Sequence, residues 1–297
     1  MSLIEGLLAE HWGIEDARVT PLVGGMSSLV WQVEADGVRY VLKSVSAADY
    51  ARRFADGLAA AARLSAAGIP AGAPVPSRGS TLTVIAGDRA VALLSWVEGT
   101  PLEPDAPGAM ALIGRTLARA HLALGTVAGR DRIEPYIDPA AEHLGVRAWI
   151  RPAIARAREA VEALDVAGLT WGPLHGDPAA DAFVLQEGGG CGLIDWGAFT
   201  LGPRVFDLAS AVMYAGGTIA SARALIDAYI DEGALSEGEV ARALAPMLGW
   251  RWASQAAYFV WRIATGNLTG IEDPSENEKG LADARAGLDS GVSRLTA

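Results

Sequence analysis

Apolar and polar residues alternate through ARVTPLVGGMSSLVWQVEADGVRYVLKSVS on either side of the turn signal ADG. That period of two predicts an antiparallel hairpin, with the Gly24-Gly25 pair at its leading end. The following AADYARRFADGLAAAARLSAAG has helical composition and a glycine stop, and TLTVIAGDRAVALLSWV predicts a second hairpin turning over GD. Up to Val97 the chain is therefore expected to be β-rich with one helix. From EGTPLEP onward the texture changes to long helical runs, among them GAMALIGRTLARAHLALGTV and AWIRPAIARAREAVEAL. One short hairpin, AFVLQEGGGCGLIDW, interrupts them. Beyond about Pro203 the pattern is almost entirely helical, with a Ser-Glu start at ALSEGEVARALAPMLGWRWASQAAYFVWRIATG. The change of texture predicts a domain boundary near Glu98, giving residues 1–97 and 98–297. The sequence shows no internal repeat and no low-complexity tail.

Composition narrows the function classes. With 297 residues, 51% of them hydrophobic, and ordinary Gly and Pro content, the chain has room for one large core or two lobes and is expected to be globular. Thirty-five acidic against 24 basic residues give a net charge of −11. That is the wrong sign for neutralising nucleic-acid phosphates, so no nucleic-acid partner is expected. Apolar runs such as VALLSWV and APMLGW fall short of the ~20 residues a membrane span needs, so none is expected. The one cysteine, Cys191, cannot form an internal disulfide, and MSLIEGLLAEHWG has no basic segment before its apolar run. Both features point to the cytoplasm.

Candidate chemistry gathers in LHGDPAADAFVLQEGGGCGLIDW. His175 and Asp177 precede a short strand, and Asp195 ends the strand hairpinned to it, so two carboxylates return to one end of a small β-ribbon. They suit an acid/base pair, two metal ligands, or one of each. Upstream, Lys43 in YVLKSV is a lone cation amid apolar β residues, placed to neutralise phosphate oxygens in a cleft. Gly24 and Gly25 precede it where a backbone without side chains can approach a nucleotide. Glycine loop, strand lysine, hairpin, helical domain, His-x-Asp loop and strand-end Asp follow one another in the order of kinase parts.

These segments resemble the aminoglycoside phosphotransferase and choline kinase superfamily, and the resemblance covers nearly the whole chain. LVGGMSSLVWQV is similar to its nucleotide loop, YVLKS to its strand lysine, LLSWVEGTPL to its interlobe hinge and IGRTLARAHLAL to its first large-lobe helix. LHGD and LIDWGAFTLGPRVFDLA are the most specific matches. The resemblance implies an α+β, two-lobed protein-kinase-like fold, with a small antiparallel N-lobe sheet bearing one helix and a larger, mainly helical C-lobe. It implies an ATP-dependent kinase, with GTP as the alternative nucleotide, that requires Mg²⁺ and phosphorylates a hydroxyl of a small molecule. By position, Asp177 would be the catalytic base, Asp195 the metal ligand and Lys43 the holder of the α/β-phosphates. Gly24, Gly25, Ser27 and Ser28 would line the nucleotide loop, and Trp96 and Val97 the hinge. His175 would brace the catalytic loop, and Asp207 would hold its backbone.

Two positions depart from the family. Where it carries a metal-binding Asn this chain has Ala182, so Asp181 is the candidate to supply that oxygen. The first helix has no Glu to pair with the lysine, which leaves Asp56 as the nearest candidate partner.

Other residues carry blander readings. His121 on an apolar helix is expected to be a satisfied core histidine, while His11, His143 and Cys191 carry no functional signal. Trp250, Trp252, Tyr258 and Trp261 are expected mainly as core, and Arg251 and Arg262 among them as a partly exposed face, with an aromatic cage for a quaternary ammonium as the alternative. Residues 1–97 hold 9 acidic and 8 basic residues, leaving −10 for the remainder. That charge favours a cationic acceptor such as an aminoglycoside, with choline or ethanolamine as alternatives, and Asp231, Glu232, Glu272, Asp273 and Glu276 are candidate carboxylates for it. An inactive nucleotide-binding relative that lost its second metal ligand at Ala182 is the competing class. A monomer or a homodimer is expected.

Overall fold

Helix α1 (Leu3–Trp12), strand β1 (Arg18–Leu22) and the hairpin of β2 (Ser28–Ala35) and β3 (Val38–Ser46) open a computed structural model that describes residues 3–22, 28–130, 133 and 137–295. The ADG signal is a two-residue turn in which Asp36 and Gly37 have φ of +51° and +74°, the left-handed pair that matches the twist of the flanking strands. Helix α2 (Ala47–Ala66) follows and ends at Gly68, whose φ is +83°. Strands β4 (Pro74–Val75), β5 (Val84–Ala86) and β6 (Arg89–Ser95) complete an antiparallel sheet of order β1-β2-β3-β6-β4, with β5 also pairing β6. Helix α1 adds to the elements expected from the pattern.

Period-two alternation gives this sheet two apolar faces. Val33, Leu42, Val91 and Leu93 pack with Leu8 of α1, and Val45, Ala90 and Ala92 pack with Phe54 and Leu58 of α2. Lys43 shares a face with Val45 and therefore lies on the α2 side, directly across from Ala92, where a small neighbour leaves room for the long stem.

The remaining elements are, in chain order, β7 (Thr100–Pro101), α3 (Ala109–Leu124), α4 (Ile150–Glu162), β8 (Trp171–Leu174), β9 (Phe183–Leu185), β10 (Cys191–Leu193), β11 (Thr200–Pro203), α5 (Arg204–Tyr214), α6 (Arg223–Asp231), α7 (Glu237–Thr265) and α8 (Ser275–Leu295). The chain falls into two units. One is the chain through Thr100 with Val184–Phe199 and Thr269–Ile271, so the segment carrying Asp195 belongs with the β-sheet. The other is Pro101–Phe183, Thr200–Leu268 and the chain from Glu272 onward.

In the helical unit α5 is buried from Arg204 to Met213, as a helix apolar nearly all round must be. Helices α3, α6 and α7 and strand β8 pack around it. Helix α7 starts at Ser236, whose side chain accepts from the Glu239 amide at 3.2 Å. The Ser-x-x-Glu spacing would let Glu239 reach back to the cap. Instead Glu239 is buried and takes the Thr170 amide and hydroxyl, each at 2.8 Å, which fastens the start of β8 to α7. Among the described residues no helix is long and apolar enough to cross a membrane.

Candidate active site

In the β-sheet unit, Lys43 is 7% exposed and its ammonium forms an ion pair with Asp195. Asp195 follows β10 with φ +63°, a left-handed conformation that a short polar side chain tolerates, and its carboxylate also accepts from the Gly197 amide at 3.3 Å. Two contacts anchor this segment: Trp196 donates its indole N–H to the Leu193 carbonyl at 2.8 Å, and the Leu193 amide donates to the Pro70 carbonyl at 2.9 Å. Helix α2 comes so close to the Trp196 carbonyl that any Cβ at Gly57 would overlap it. Asp56 is exposed, so the expected partnership of Asp56 with Lys43 is corrected: the lysine pairs with Asp195.

Ser28 is buried and opposite Val45. Gly24, Gly25 and Ser27 lie outside the described residues. Trp96 is half-buried with the Arg39 guanidinium 4.8 Å above its ring, Arg39 in turn pairs with Glu98, and Val97 sits beside Gly192. A half-exposed carboxylate fits a hard cation, and a buried strand lysine beside it fits phosphate oxygens.

In the helical unit, β8 pairs antiparallel with β11 and delivers His175 at its end. His175 is fully buried, and its ring Nδ1 lies 3.4 Å from the Asp177 amide that donates to it. Gly176, at φ +87°, makes the bend between them. Asp207 on α5 is fully buried and accepts the His175 amide at 2.6 Å and the Gly176 amide at 2.9 Å. It also faces Nε2 of His121 at 3.1 Å, and Nδ1 of the same ring meets the Tyr229 hydroxyl at 2.6 Å. Because Asp207 is an acceptor for the loop amides, the ring proton belongs on Nε2, and Tyr229 then donates to Nδ1. Burial lowers the His121 pKa below the usual 6.5, against the pull of Asp207, and pushes the Tyr229 phenol well above its usual range.

Asp177 is half-exposed. The Tyr214 hydroxyl at the end of α5 donates to its Oδ1, and so does Nη2 of Arg251 on α7, at 3.0 Å. Arg251 also donates from Nε to Ser210 at 3.1 Å, from Nη1 to Gln255 at 2.7 Å, and from Nη2 to the Tyr214 oxygen at 3.1 Å. Partial desolvation raises the Tyr214 phenol far above the usual range. Arg251 opposes that rise, and Asp177 and Asp181 add to it. Asp181 is exposed, whereas the Ala182 methyl points into the core.

Sequence reasoning missed Tyr214 and misjudged Arg251. Arg251 and Arg262 are both buried rather than part of an exposed face. The spacing of Arg251, Gln255, Tyr258 and Arg262 along one side of α7 was the available signal. Of the four aromatics expected mainly as core, Trp250 is buried and Trp252, Tyr258 and Trp261 are half-buried. Trp252 lies against Gly217 and Gly287, and the Tyr258 ring has the Arg262 guanidinium 5.6 Å from its centre. Among the candidate acceptor carboxylates, Glu232 holds Arg119 through both oxygens at 2.9 and 3.0 Å. Asp273 accepts the Ser275 amide at 2.8 Å.

The β-sheet unit thus holds a buried lysine paired with a strand-end aspartate, and the helical unit a half-exposed aspartate on a loop clamped by buried Asp207. A family profile described as "Phosphotransferase enzyme family" matches residues 18–244, and the chain belongs to that family. It is a small-molecule kinase acting on a hydroxyl. A homoserine kinase from Rhodospirillum rubrum is 28% identical over 240 residues, covering 75% of this chain and 74% of that one. The microcompartment-associated aminopropanol kinase superposes with a TM-score of 0.74 at 15% identity, covering 99% of this chain and 97% of that one. A choline kinase from Streptococcus pneumoniae superposes at 0.68 with 15% identity, covering 97% and 98%. The fold is accordingly α+β and protein-kinase-like.

Proposed function

We propose that this chain transfers the γ-phosphoryl group of ATP, or of GTP as the alternative, to the hydroxyl of a small cationic amino alcohol. Asp177 orients the hydroxyl and takes its proton. The acceptor oxygen bonds to the γ-phosphorus, the bond from that phosphorus to the bridging oxygen breaks, and the nucleoside diphosphate leaves. Lys43 neutralises the α/β-phosphate oxygens. Ser28, with Gly24, Gly25 and Ser27, lines the phosphates, and Trp96 and Val97 contact the base. Asp195 would hold a divalent cation, with Asp181 as a further oxygen donor in place of the missing Asn, and the cation would offset charge on the phosphate oxygens. Asp207 and His175 keep the Asp177 loop in place. The lone Cys191 is in keeping with action in the reducing cytoplasm.

The observation that carries this reading is the pairing of a half-exposed Asp177 with a loop whose two preceding amides are fixed by the buried Asp207. A base held in this way meets the positioning demand of phosphoryl transfer, in which the protein supplies geometry and charge. The acceptor class draws on the relatives: homoserine, aminopropanol and choline each join a hydroxyl to a nitrogen on a short chain. The −10 charge of residues 98–297 favours a cation, which also keeps aminoglycosides in play. Ala182 favours a second reading, an inactive nucleotide-binding protein, because its buried methyl offers no oxygen to a metal. ADP release with Mg-ATP against homoserine, 1-amino-2-propanol, ethanolamine, choline and aminoglycosides separates the two. Acceptor-dependent release that is lost in Asp177→Asn supports the kinase. Nucleotide binding without release from any acceptor supports the inactive relative.

A further inference from the structure

The two oxygens of Asp177 are not equivalent. Oδ1 receives both the Tyr214 hydroxyl and the Arg251 Nη2, and a carboxylate oxygen has two lone-pair sites, so Oδ1 is saturated. Among the described residues nothing donates to Oδ2, and the side chain is half-exposed. The two donors are themselves fixed. Arg251, its side chain 8% exposed, is fastened on three sides by Ser210, Gln255 and Tyr214, so its fork has little freedom to follow Asp177. Tyr214 is 39% exposed, and its hydroxyl, whose pKa is raised above the usual range, keeps its proton, which makes it a donor under working conditions.

Resting on the kinase reading above, we propose that Tyr214 and Arg251 are positioning residues that anchor Asp177 through Oδ1 and so reserve Oδ2 for the acceptor hydroxyl. Without them the carboxylate swings about its Cβ–Cγ bond, and no oxygen is held where the hydroxyl needs its aligned partner. Alignment of a reacting group governs kcat, while nucleotide binding draws on other residues. The effect of losing either donor therefore falls on kcat and leaves the KM for nucleotide in place. Lysine at position 251 keeps the charge but lacks the planar fork, so it restores binding energy without restoring orientation.

The test measures kcat and nucleotide KM for Tyr214→Phe and Arg251→Lys beside wild type and Asp177→Asn, with the acceptor that gives wild-type ADP release. Each of the two variants is expected to lose about 10- to 100-fold in kcat with nucleotide KM unchanged. Tyr214→Phe removes one oxygen from a partly exposed side chain, so it keeps the test sound if Arg251→Lys unfolds. In parallel, Tyr214→Phe is expected to lower the unfolding midpoint of Asp177→Ala by less than that of wild type, because the contact with Asp177 is then already lost and only that with Arg251 remains. Wild-type turnover that vanishes in Asp177→Asn but is unaltered in Tyr214→Phe and Arg251→Lys overturns the anchoring role and leaves the kinase reading intact. Additive effects of Tyr214→Phe and Asp177→Ala on stability also overturn it. A wild type with no acceptor-dependent ADP release overturns the kinase reading, and this inference with it.

Discussion

A lysine that is 7% exposed survives burial only with a charge partner, and in this chain the partner is Asp195 rather than a helix carboxylate. Bound nucleotide phosphates would relieve the same electrostatic demand on Lys43, so the ion pair and the nucleotide address one need. Lys43→Met is therefore expected to weaken nucleotide binding by at least about tenfold, as loss of a partly desolvated charge contact does. Asp56→Ala, which removes an exposed carboxylate from the outer face of α2, should leave binding unchanged in the same titration calorimetry. Equal losses in both variants would return the pairing role to Asp56. The second carboxylate behaves differently. Asp177→Asn keeps the side chain's shape and removes its basicity, so turnover should fall by about 10²- to 10⁴-fold. Nucleotide should still raise the melting temperature of that variant as it does for wild type.

At the scale of elements, helix phase decides what α2 can contribute. Phe54, Gly57, Leu58 and Ala61 share its buried side at helical spacing, which turns Asp56 outward and brings Gly57 against the Trp196 carbonyl. The amphipathic period made the helix and its neighbouring hairpins legible in the sequence, and the two-residue turn at Asp36-Gly37 was legible for the same local reason. Reading that period one step further would have excluded Asp56. The donors around Asp177 were a different matter, since Tyr214 lies 37 residues and Arg251 74 residues along the chain from it. No local pattern encodes such a meeting, because it is set by how α5 and α7 pack. Gly57→Ala tests the element directly. A methyl at that position must displace backbone, at a cost of about 1–3 kcal/mol. Because the displaced backbone adjoins Asp195, the variant should also bind Mg-nucleotide more weakly than its loss of stability alone accounts for. Fluorescence titration with and without Mg²⁺ reads this out, and a variant that is destabilised but binds normally would show that the close approach serves packing alone.

The stability of the molecule as a whole is tied to pH through the polar network under the Asp177 loop. Asp207, His121 and Tyr229 come from α5, α3 and α6, and the two amides they support belong to the loop after β8, so four segments share one set of hydrogen bonds. Every buried donor in that set is costly to leave unpaired, which gives the network a common fate on titration. Burial depresses the pKa of His121 below the 6.5 of the free side chain. As pH falls through 6.5 the unfolded chain takes up a proton that the folded ring still refuses, so folding loses stability. The loss continues until the pH reaches the depressed native value, where the two states again bind equally. Within that window the slope from this one residue is at most about 1.4 kcal/mol per pH unit. Above 6.5 both states hold a neutral ring and the residue has no effect on pH dependence. His121→Gln offers an amide N–H to Asp207 but has no titrating group. It is expected to be less stable than wild type at pH 7.5 and to lose less on going to pH 5.5, as measured by urea unfolding at both pH values. Parallel losses in the two proteins would assign the acid sensitivity to the carboxylates of the chain instead. A shallower slope in the variant would place it at the one imidazole on which α3, α5 and α6 converge.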